Sequence, residues 1–351
     1  MNQCEKWFVY KNARRMNMLQ PNKLIFKGRL EFGSLRTYEM VVRHWQNRLE
    51  TYFKADVLFD PEQIFIPEEF AMVLPQQTIL SGDKNWRCTT SLLREVAQFA
   101  VAGNVLAWCV LNGRVLDTVN IEPVSDKVAV TEYKLGCQLV AETGMETEAT
   151  AALSRAIDKY ARHAAAYERR GYVNYKLKNF NDALYDFNKS IDINPGNPEA
   201  FYGRAKVKML KNDWEGAAAD FDLSVKRSVA LQPIHWLSRL KKGECLFHAK
   251  KYAEAAAELK LYLMRNFMPT DPNFHRRHRA SLFLGKSLVA MRDISGAMIA
   301  FRQAKVSSDG AELAPGEAKL LIRVETPDFV RDLEAAAQKS PSEAVMMLFG
   351  Q

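Results

Sequence analysis

The chain has 351 residues, 48% of them hydrophobic and 26% charged, a composition that predicts a folded chain throughout. Its longest apolar stretch, Phe99 to Leu111, is too short to cross a bilayer, which takes about 20 apolar residues, so the sequence excludes a membrane-spanning helix. The formal charge of +8 is concentrated in residues 229–306, which carry 14 basic and only 5 acidic side chains.

The sequence predicts a cytoplasmic location. Met1 to Arg15 carries five charged residues and lacks the apolar core of a signal peptide. The cysteines are odd in number, scattered and nowhere spaced as metal-binding pairs, which favours reduced thiols over a disulfide framework. They are Cys4, Cys88, Cys109, Cys137 and Cys245.

Residues 1–128 show no repeat and predict a small α+β domain of unrecognised family. Apolar residues at helical spacing predict a helix from Tyr38 to Tyr52. The turn-forming pair Asn112-Gly113 lies between two apolar runs and predicts a β-hairpin, because both residues accept positive φ. The remaining predictions are strands at Leu24–Phe26 and Leu30–Phe32 separated by Gly28, an extended segment at Ile64–Leu80, and a helix at Ser91–Val101 capped by Thr89 or Thr90.

A pattern of small and large apolar residues recurs at an interval of 34 residues in the middle of the chain. The first copy consists of Tyr167, Gly171, Tyr175, Phe180, Ala183, Phe187 and Ser190. The second copy consists of Phe201, Ala205, Met209, Trp214, Ala217, Phe221 and Ser224. Pro195, which follows the first copy and predicts the end of a helix, has no counterpart in the second.

This pattern resembles the tetratricopeptide repeat over about residues 129–306. The resemblance implies pairs of antiparallel helices in which small residues, such as Gly171 and Ala183, face each other and large residues fill the seams. Further units, around Gly136, Gly243 and Gly285, bring the total to about five helical hairpins. The predicted fold is therefore an α+β domain at 1–128, an all-α solenoid of the tetratricopeptide kind at 129–306, and a helical cap at 307–351.

The predicted cap has an acidic sequence with prolines at positions where helices begin, namely Pro315, Pro327 and Pro341. A solenoid needs such an element to cover its last apolar face. Met346 to Phe349 is the predicted segment that folds back onto that face.

The resemblance also implies a partner-binding groove lined by the first helix of each hairpin. Aromatic side chains and methionine bury a large area there with little loss of entropy, which suits a bound peptide or helix. The expected groove residues are Glu168, Tyr172, Tyr175, Lys176, Tyr202, Lys206, Met209, Phe247, His248, Arg279 and Lys286.

The cationic segment provides an alternative: a basic surface that would bind an acidic protein, an anionic membrane or, in a ribosome-associated factor, RNA. Its expected residues are Arg227, Arg239, Lys241, Lys242, Lys250, Lys251, Arg276 and Arg277. A third interpretation is that the acidic tail neutralises part of this surface within the chain.

Residues typical of catalysis are missing from the sequence. Leu284 to Ser287 resembles only the end of a phosphate-binding loop, and His275 and His278 lie among arginines that would repel a metal ion. We therefore expect no catalytic residues, no metal and no cofactor. The predicted function is a non-enzymatic scaffold or adaptor that binds a protein partner within a larger assembly, and the oligomeric state stays open.

Overall fold

A computed structural model describes residues 21–308 and 313–349. The expectations for Met1 to Arg15 and for Cys4 lie outside the described residues. The chain forms two compact units, Met1–Gly196 and Asn197–Gln351. The domain boundaries predicted near residues 128 and 306 stay predictions.

Unit 1 begins with an antiparallel sheet in the order β2-β3-β1-β4-β5. Its strands are β1 (Asn22–Glu31), β2 (Phe65–Ile66), β3 (Ala71–Ser81), β4 (Ala102–Leu111) and β5 (Arg114–Ile121). The prediction of two strands around Gly28 was wrong, because the backbone continues through a bulge after Phe26 as a single strand. The predicted β4–β5 hairpin is confirmed, with Asn112 and Gly113 at φ 49° and 77°.

Three α-helices accompany this sheet: α1 (Leu35–Arg48), which a π-helical turn at Leu49–Phe53 follows, α2 (Pro61–Ile64) and α3 (Asp83–Ala97). Helix α1 and helix α3 share a buried core with the strands, in which the Phe26 and Trp86 rings lie 5.6 Å apart. The predicted start of α3 at Thr89 or Thr90 was wrong. Both threonines lie buried inside the helix, where Thr90 donates to the Trp86 carbonyl oxygen at 2.8 Å instead of capping.

Two helical hairpins complete unit 1: α4 (Val128–Ala141) with α5 (Glu146–Lys159), and α6 (Ala164–Lys176) with α7 (Phe180–Ile193). Helix α7 ends just before Pro195, as predicted. The segment after α5 joins these hairpins to the sheet. The Tyr160 hydroxyl donates to the Glu31 carboxylate at 2.8 Å, and Arg162 pairs with Glu69 at 3.4 Å.

Unit 2 consists of three further hairpins and a cap. The hairpins are α8 (Pro198–Leu210) with α9 (Trp214–Arg227), α10 (Pro233–His248) with α11 (Tyr252–Met264), and α12 (Arg277–Ala290) with α13 (Ile294–Val306). The cap consists of α14 (Pro315–Arg323), α15 (Pro327–Lys339) and α16 (Pro341–Leu348), each beginning at its predicted proline. The predicted succession of sheet domain, helical hairpins and helical cap is therefore confirmed.

Glycines on the first helices leave space beside the backbone, and large side chains from the second helices fill that space. A Cβ atom at Gly285 would lie 2.5 Å from the Phe301 ring, which is fully buried. At Gly171 the nearest side chains are Phe187 and Asp186, whereas the sequence predicted Ala183. The close approach of the two helices therefore follows from a ring that fills the space of a missing side chain.

Charged pairs whose members lie sixteen residues apart also join the two helices within three of the hairpins. Arg170 contacts Asp186 at 2.7 Å, and Arg204 contacts Asp220 at 2.7 Å, so this pair recurs at the 34-residue interval. In the fourth hairpin Lys242 contacts Glu258 at 2.6 Å with the same separation along the chain. Both aspartates are almost fully buried, so each depends on its cationic partner.

Candidate partner-binding faces

In unit 1 the expected groove residues lie on α6 and differ in exposure. Glu168 is buried and lies 3.4 Å from the Arg169 guanidinium, so it is part of the internal packing. Tyr172 and Tyr175 are half-buried, and Lys176 is exposed, with its ammonium 5.3 Å from the centre of the Tyr172 ring. The accessible part of this face is therefore aromatic and cationic.

In unit 2 the first helices of the hairpins, α8, α10 and α12, contact each other in succession. We call their shared surface the first-helix face of unit 2; it carries Tyr202, Lys206, Met209, Phe247, His248, Arg279 and Lys286. On α8 the half-buried Tyr202 packs its ring 5.4 Å from the Phe221 ring. Burial, together with the charge of Lys241, lowers the pKa of Lys206.

The α10 and α12 part of this face buries Phe247, whereas His248 on the same helix is exposed. Phe247 is buried and lies 5.5 Å from the Phe283 ring, while the His248 ring stacks 4.4 Å from the Trp214 ring. The Arg279 guanidinium binds Glu244, itself buried, through Nε at 2.6 Å.

Lys286 is a buried cation placed between two aromatic rings. Its ammonium lies 4.8 Å from the centre of the Phe283 ring and 4.9 Å from that of Phe349. Burial lowers its pKa because the charged form loses hydration. Lys286 is therefore inaccessible to a partner while Phe349 stays in place.

The covering residue Phe349 directly follows α16, a helix that contacts α12 and whose Ala344 and Leu348 side chains are buried. The Phe349 ring also lies 6.5 Å from the Phe247 ring. The sequence predicted that this segment folds back, but not that it covers two of the expected groove residues. The apolar run Met346 to Phe349 was the only sequence signal for such a contact.

The expected basic surface is largely paired inside unit 2. Four of its residues contact carboxylates: Arg239 with Glu258, Lys241 with Glu244, Lys242 with Asp222 and Glu258, and Lys251 with Glu215. Arg277 donates to the backbone carbonyl of Arg265 at 3.0 Å. Arg227, Lys250 and Arg276 are exposed or lie at helix ends, so the cationic residues do not form one continuous unpaired patch.

Metal-binding geometry is missing from the described residues, which contain no group of three histidine, cysteine or acidic side chains placed around a common centre. The His278 Nδ1 atom lies 2.7 Å from the His275 backbone oxygen. Across residues 21–308 and 313–349, every helix is too short or too polar to cross a membrane.

Comparisons with known proteins bear on the repeats. The sequence matches the tetratricopeptide repeat family at residues 147–198 and 199–270. Similar solved structures include YrrB, described as a TPR protein with an unusual peptide-binding site (18% identity, 53% of this chain and 90% of that chain, TM-score 0.44). Another is Pseudomonas aeruginosa PilF (17% identity, 60% of this chain and 89% of that chain, TM-score 0.48). A third is MamA (15% identity, 54% of this chain and 97% of that chain, TM-score 0.43). Residues 147–270 of this chain therefore match the tetratricopeptide repeat, in agreement with the helical hairpins that they form.

Proposed function

We propose that this protein is a non-enzymatic, cytoplasmic scaffold that binds a segment of a protein partner on the first-helix faces of its hairpins. The match of residues 147–270 to the tetratricopeptide repeat supports the protein-binding part of this proposal. The partner segment is acidic, because the accessible candidates on these faces are tyrosines and lysines, which complement a negatively charged peptide.

The observation that carries the proposal is the packing of α16 against α12. There the first-helix face of unit 2 already holds a short amphipathic helix, with Leu348 buried and Phe349 lying against Lys286. This is the mode in which a helical groove binds the apolar face of a partner helix. A face that accepts one such helix within the chain has the shape and apolar character to accept another nearby.

Because α16 covers the α12 part, we assign the partner to the α8 and α10 part of this face. Tyr202 and Met209 are half-buried there, and both pack against the hydrophobic core of unit 2. The lowered pKa of Lys206 reflects burial and the repulsion of Lys241. A partner carboxylate beside Lys206 would favour its charged form, which supports an acidic partner.

The test is quantitative capture of partners from the native cell by the purified full-length chain, followed by mass spectrometry. We expect Lys206→Glu to reduce capture of the main partner at least tenfold, because the substitution replaces an attraction with a repulsion. The matched control is Lys211→Glu, the same charge change at the exposed end of the same helix. A photocrosslinking amino acid in place of Tyr202 should join the chain to the same partner.

Unit 1 is tested in the same way with Tyr172→Ala. Its control is Tyr185→Ala, which removes a more exposed tyrosine from the second helix of the same hairpin. Thermal unfolding of every variant separates lost binding from lost folding. Equal capture by Lys206→Glu and Lys211→Glu would exclude the first-helix face of unit 2 as the partner surface.

Nucleic acid binding is the rival outcome of this test. The ion pairs of Arg239, Lys241, Lys242 and Lys251 reduce the charge available to phosphates, so we do not adopt it. If the partner were RNA, the binding affinity would fall by orders of magnitude between low and moderate salt, since counterions are released on binding.

A further inference from the structure

Unit 2 contains an open groove on a surface different from its first-helix face. The groove has a volume of about 820 Å³ and lies among α11, α12 and α13. Ser281 and Leu284 of α12 form its floor, and both are buried. Its walls come from the second helices of two successive hairpins, α11 and α13. None of the residues in this groove is among the expected groove residues.

The walls of the groove carry large apolar side chains that remain in water. Met264 on α11 is 80% exposed, and Ile299 and Val306 on α13 are 57% and 79% exposed. All three line the same groove. Single exposed apolar residues are ordinary, but several around one concavity indicate an interaction site.

Ile299 and Val306 lie seven residues apart on one helix, so they stand on the same side and about 10 Å apart along its axis. The groove therefore offers apolar contacts over about two helical turns. A partner helix with apolar residues at positions i, i+3, i+4 and i+7 presents a stripe of the same length.

The rim of the groove is basic. Lys260, Arg277 and Arg302 line it, and none of the lining residues is acidic. Arg277 donates to backbone carbonyls of α11 and the segment after it, which leaves its positive charge without a carboxylate partner. Within residues 21–308 and 313–349, Lys260 and Arg302 have no salt bridge either. The charge complement of this groove is therefore a negatively charged segment.

We propose that this groove binds a short acidic amphipathic helix of a protein partner. The apolar face of that helix would cover Met264, Ile299 and Val306, and its acidic residues would meet Lys260, Arg277 and Arg302. This site goes beyond the function proposed above, because it uses the second helices of the hairpins and residues that the first-helix face does not contain.

The experiment measures binding of a fluorescein-labelled, 18-residue peptide to the full-length chain by fluorescence anisotropy. The peptide carries leucines on one helical face and glutamates elsewhere. We expect Met264→Glu and Val306→Glu each to weaken binding at least tenfold, which is about 1.4 kcal/mol. Arg302→Ala should weaken it about threefold. The control Ile322→Glu, the same kind of change at a 65% exposed position of α14, should leave it unchanged.

Several outcomes would overturn the proposal. A scrambled peptide of identical composition that binds equally well would show that no helical face is recognised. Loss of peptide binding in Lys206→Glu but not in Met264→Glu would place the peptide on the first-helix face, leaving the proposed function intact. Sedimentation with phosphatidylglycerol vesicles that depends on Met264 would assign the groove to a membrane surface. Self-association abolished by Met264→Glu would assign it to a second copy of this chain.

Discussion

His163 links the stability of unit 1 to pH. It lies fully buried at the start of α6, where its Nδ1 atom accepts a hydrogen bond from the Ala166 amide at 3.2 Å. Its ring lies 4.7 Å from the Tyr133 ring. Burial lowers the pKa of His163 to about 4, because the charged imidazolium would lose its hydration. Protonation would also remove the lone pair that accepts from Ala166.

The size of the effect follows from the two protonation equilibria. In the unfolded chain a histidine has a pKa of about 6.5, so between pH 6.5 and 4 the unfolded state binds a proton that the folded state does not. The contribution of His163 to the free energy of unfolding is therefore fully present above pH 6.5 and is lost as the pH falls. Between pH 7 and pH 5 the loss is about 2 kcal/mol, and the full displacement of the pKa corresponds to about 3 kcal/mol below pH 4.

Urea denaturation followed by far-ultraviolet circular dichroism at pH 7 and pH 5 measures this loss. The matched variant is His163→Asn, because asparagine can still accept at a helix start but does not titrate. His235, whose pKa is also lowered by burial, contributes equally to both proteins, so their difference isolates His163. An equal pH dependence in both proteins, or an NMR titration that gives His163 a pKa near 6.5, would refute the reasoning.

Four further substitutions test the packing of the hairpins. Arg170→Leu should lower the free energy of unfolding by about 3 kcal/mol, since Asp186 is left buried without its cationic partner. Adding Asp186→Ala should restore most of that loss, and urea denaturation of the single and double variants decides whether it does. Gly285→Val should cost at least about 2 kcal/mol by forcing the Phe301 ring to move, seen as a lower Tm; an unchanged Tm contradicts the close contact. Asp293→Ala should cost about 1 kcal/mol, because the Asp293 carboxylate accepts from the Gly296 amide at 2.9 Å; equal stability by the same assay would show that this cap contributes nothing.

The hairpins could be predicted from the sequence because their packing repeats. Phe187 and Phe221 are both fully buried and stand 34 residues apart, so the same cavity had to be filled twice by the same kind of side chain. The Asn112-Gly113 turn could be predicted for a different reason: few residue pairs tolerate two successive positive φ angles. In both places a local physical requirement admits few residue types.

The backbone conformation of the turns inside the hairpins could not be predicted in this way. Lys178, Asn212, Lys250 and Arg292 all adopt positive φ at the end of a first helix, although none is glycine. The next residue then donates back into the helix, as the Asp213 amide does to the Lys208 carbonyl at 3.0 Å. This conformation is imposed by the packing of the two helices, and a lysine or arginine gives no sign of it in the sequence.

The expected groove was only partly predictable for a related reason. Helical spacing placed Phe247 and Lys286 on first helices, and both are there. Whether a side chain on such a face is exposed depends on a segment far along the chain, since Phe349 covers both. A pattern of residues along one helix carries no information about that distant contact.

The paired charges of the hairpins indicate why the helices keep their alignment. In three hairpins a cation and a carboxylate sixteen residues apart meet across the two helices, as Lys242 and Glu258 do. A shift of one residue would leave a buried carboxylate without its partner, whereas an apolar contact could simply repack. In the fifth hairpin the corresponding positions are Leu284 and Ala300, both buried and apolar. There the alignment depends on the contact between Gly285 and Phe301 and on the cap helix α16, which packs against α12. The cap therefore does more than cover an apolar surface: it stabilises the one hairpin of unit 2 that lacks the charged pair.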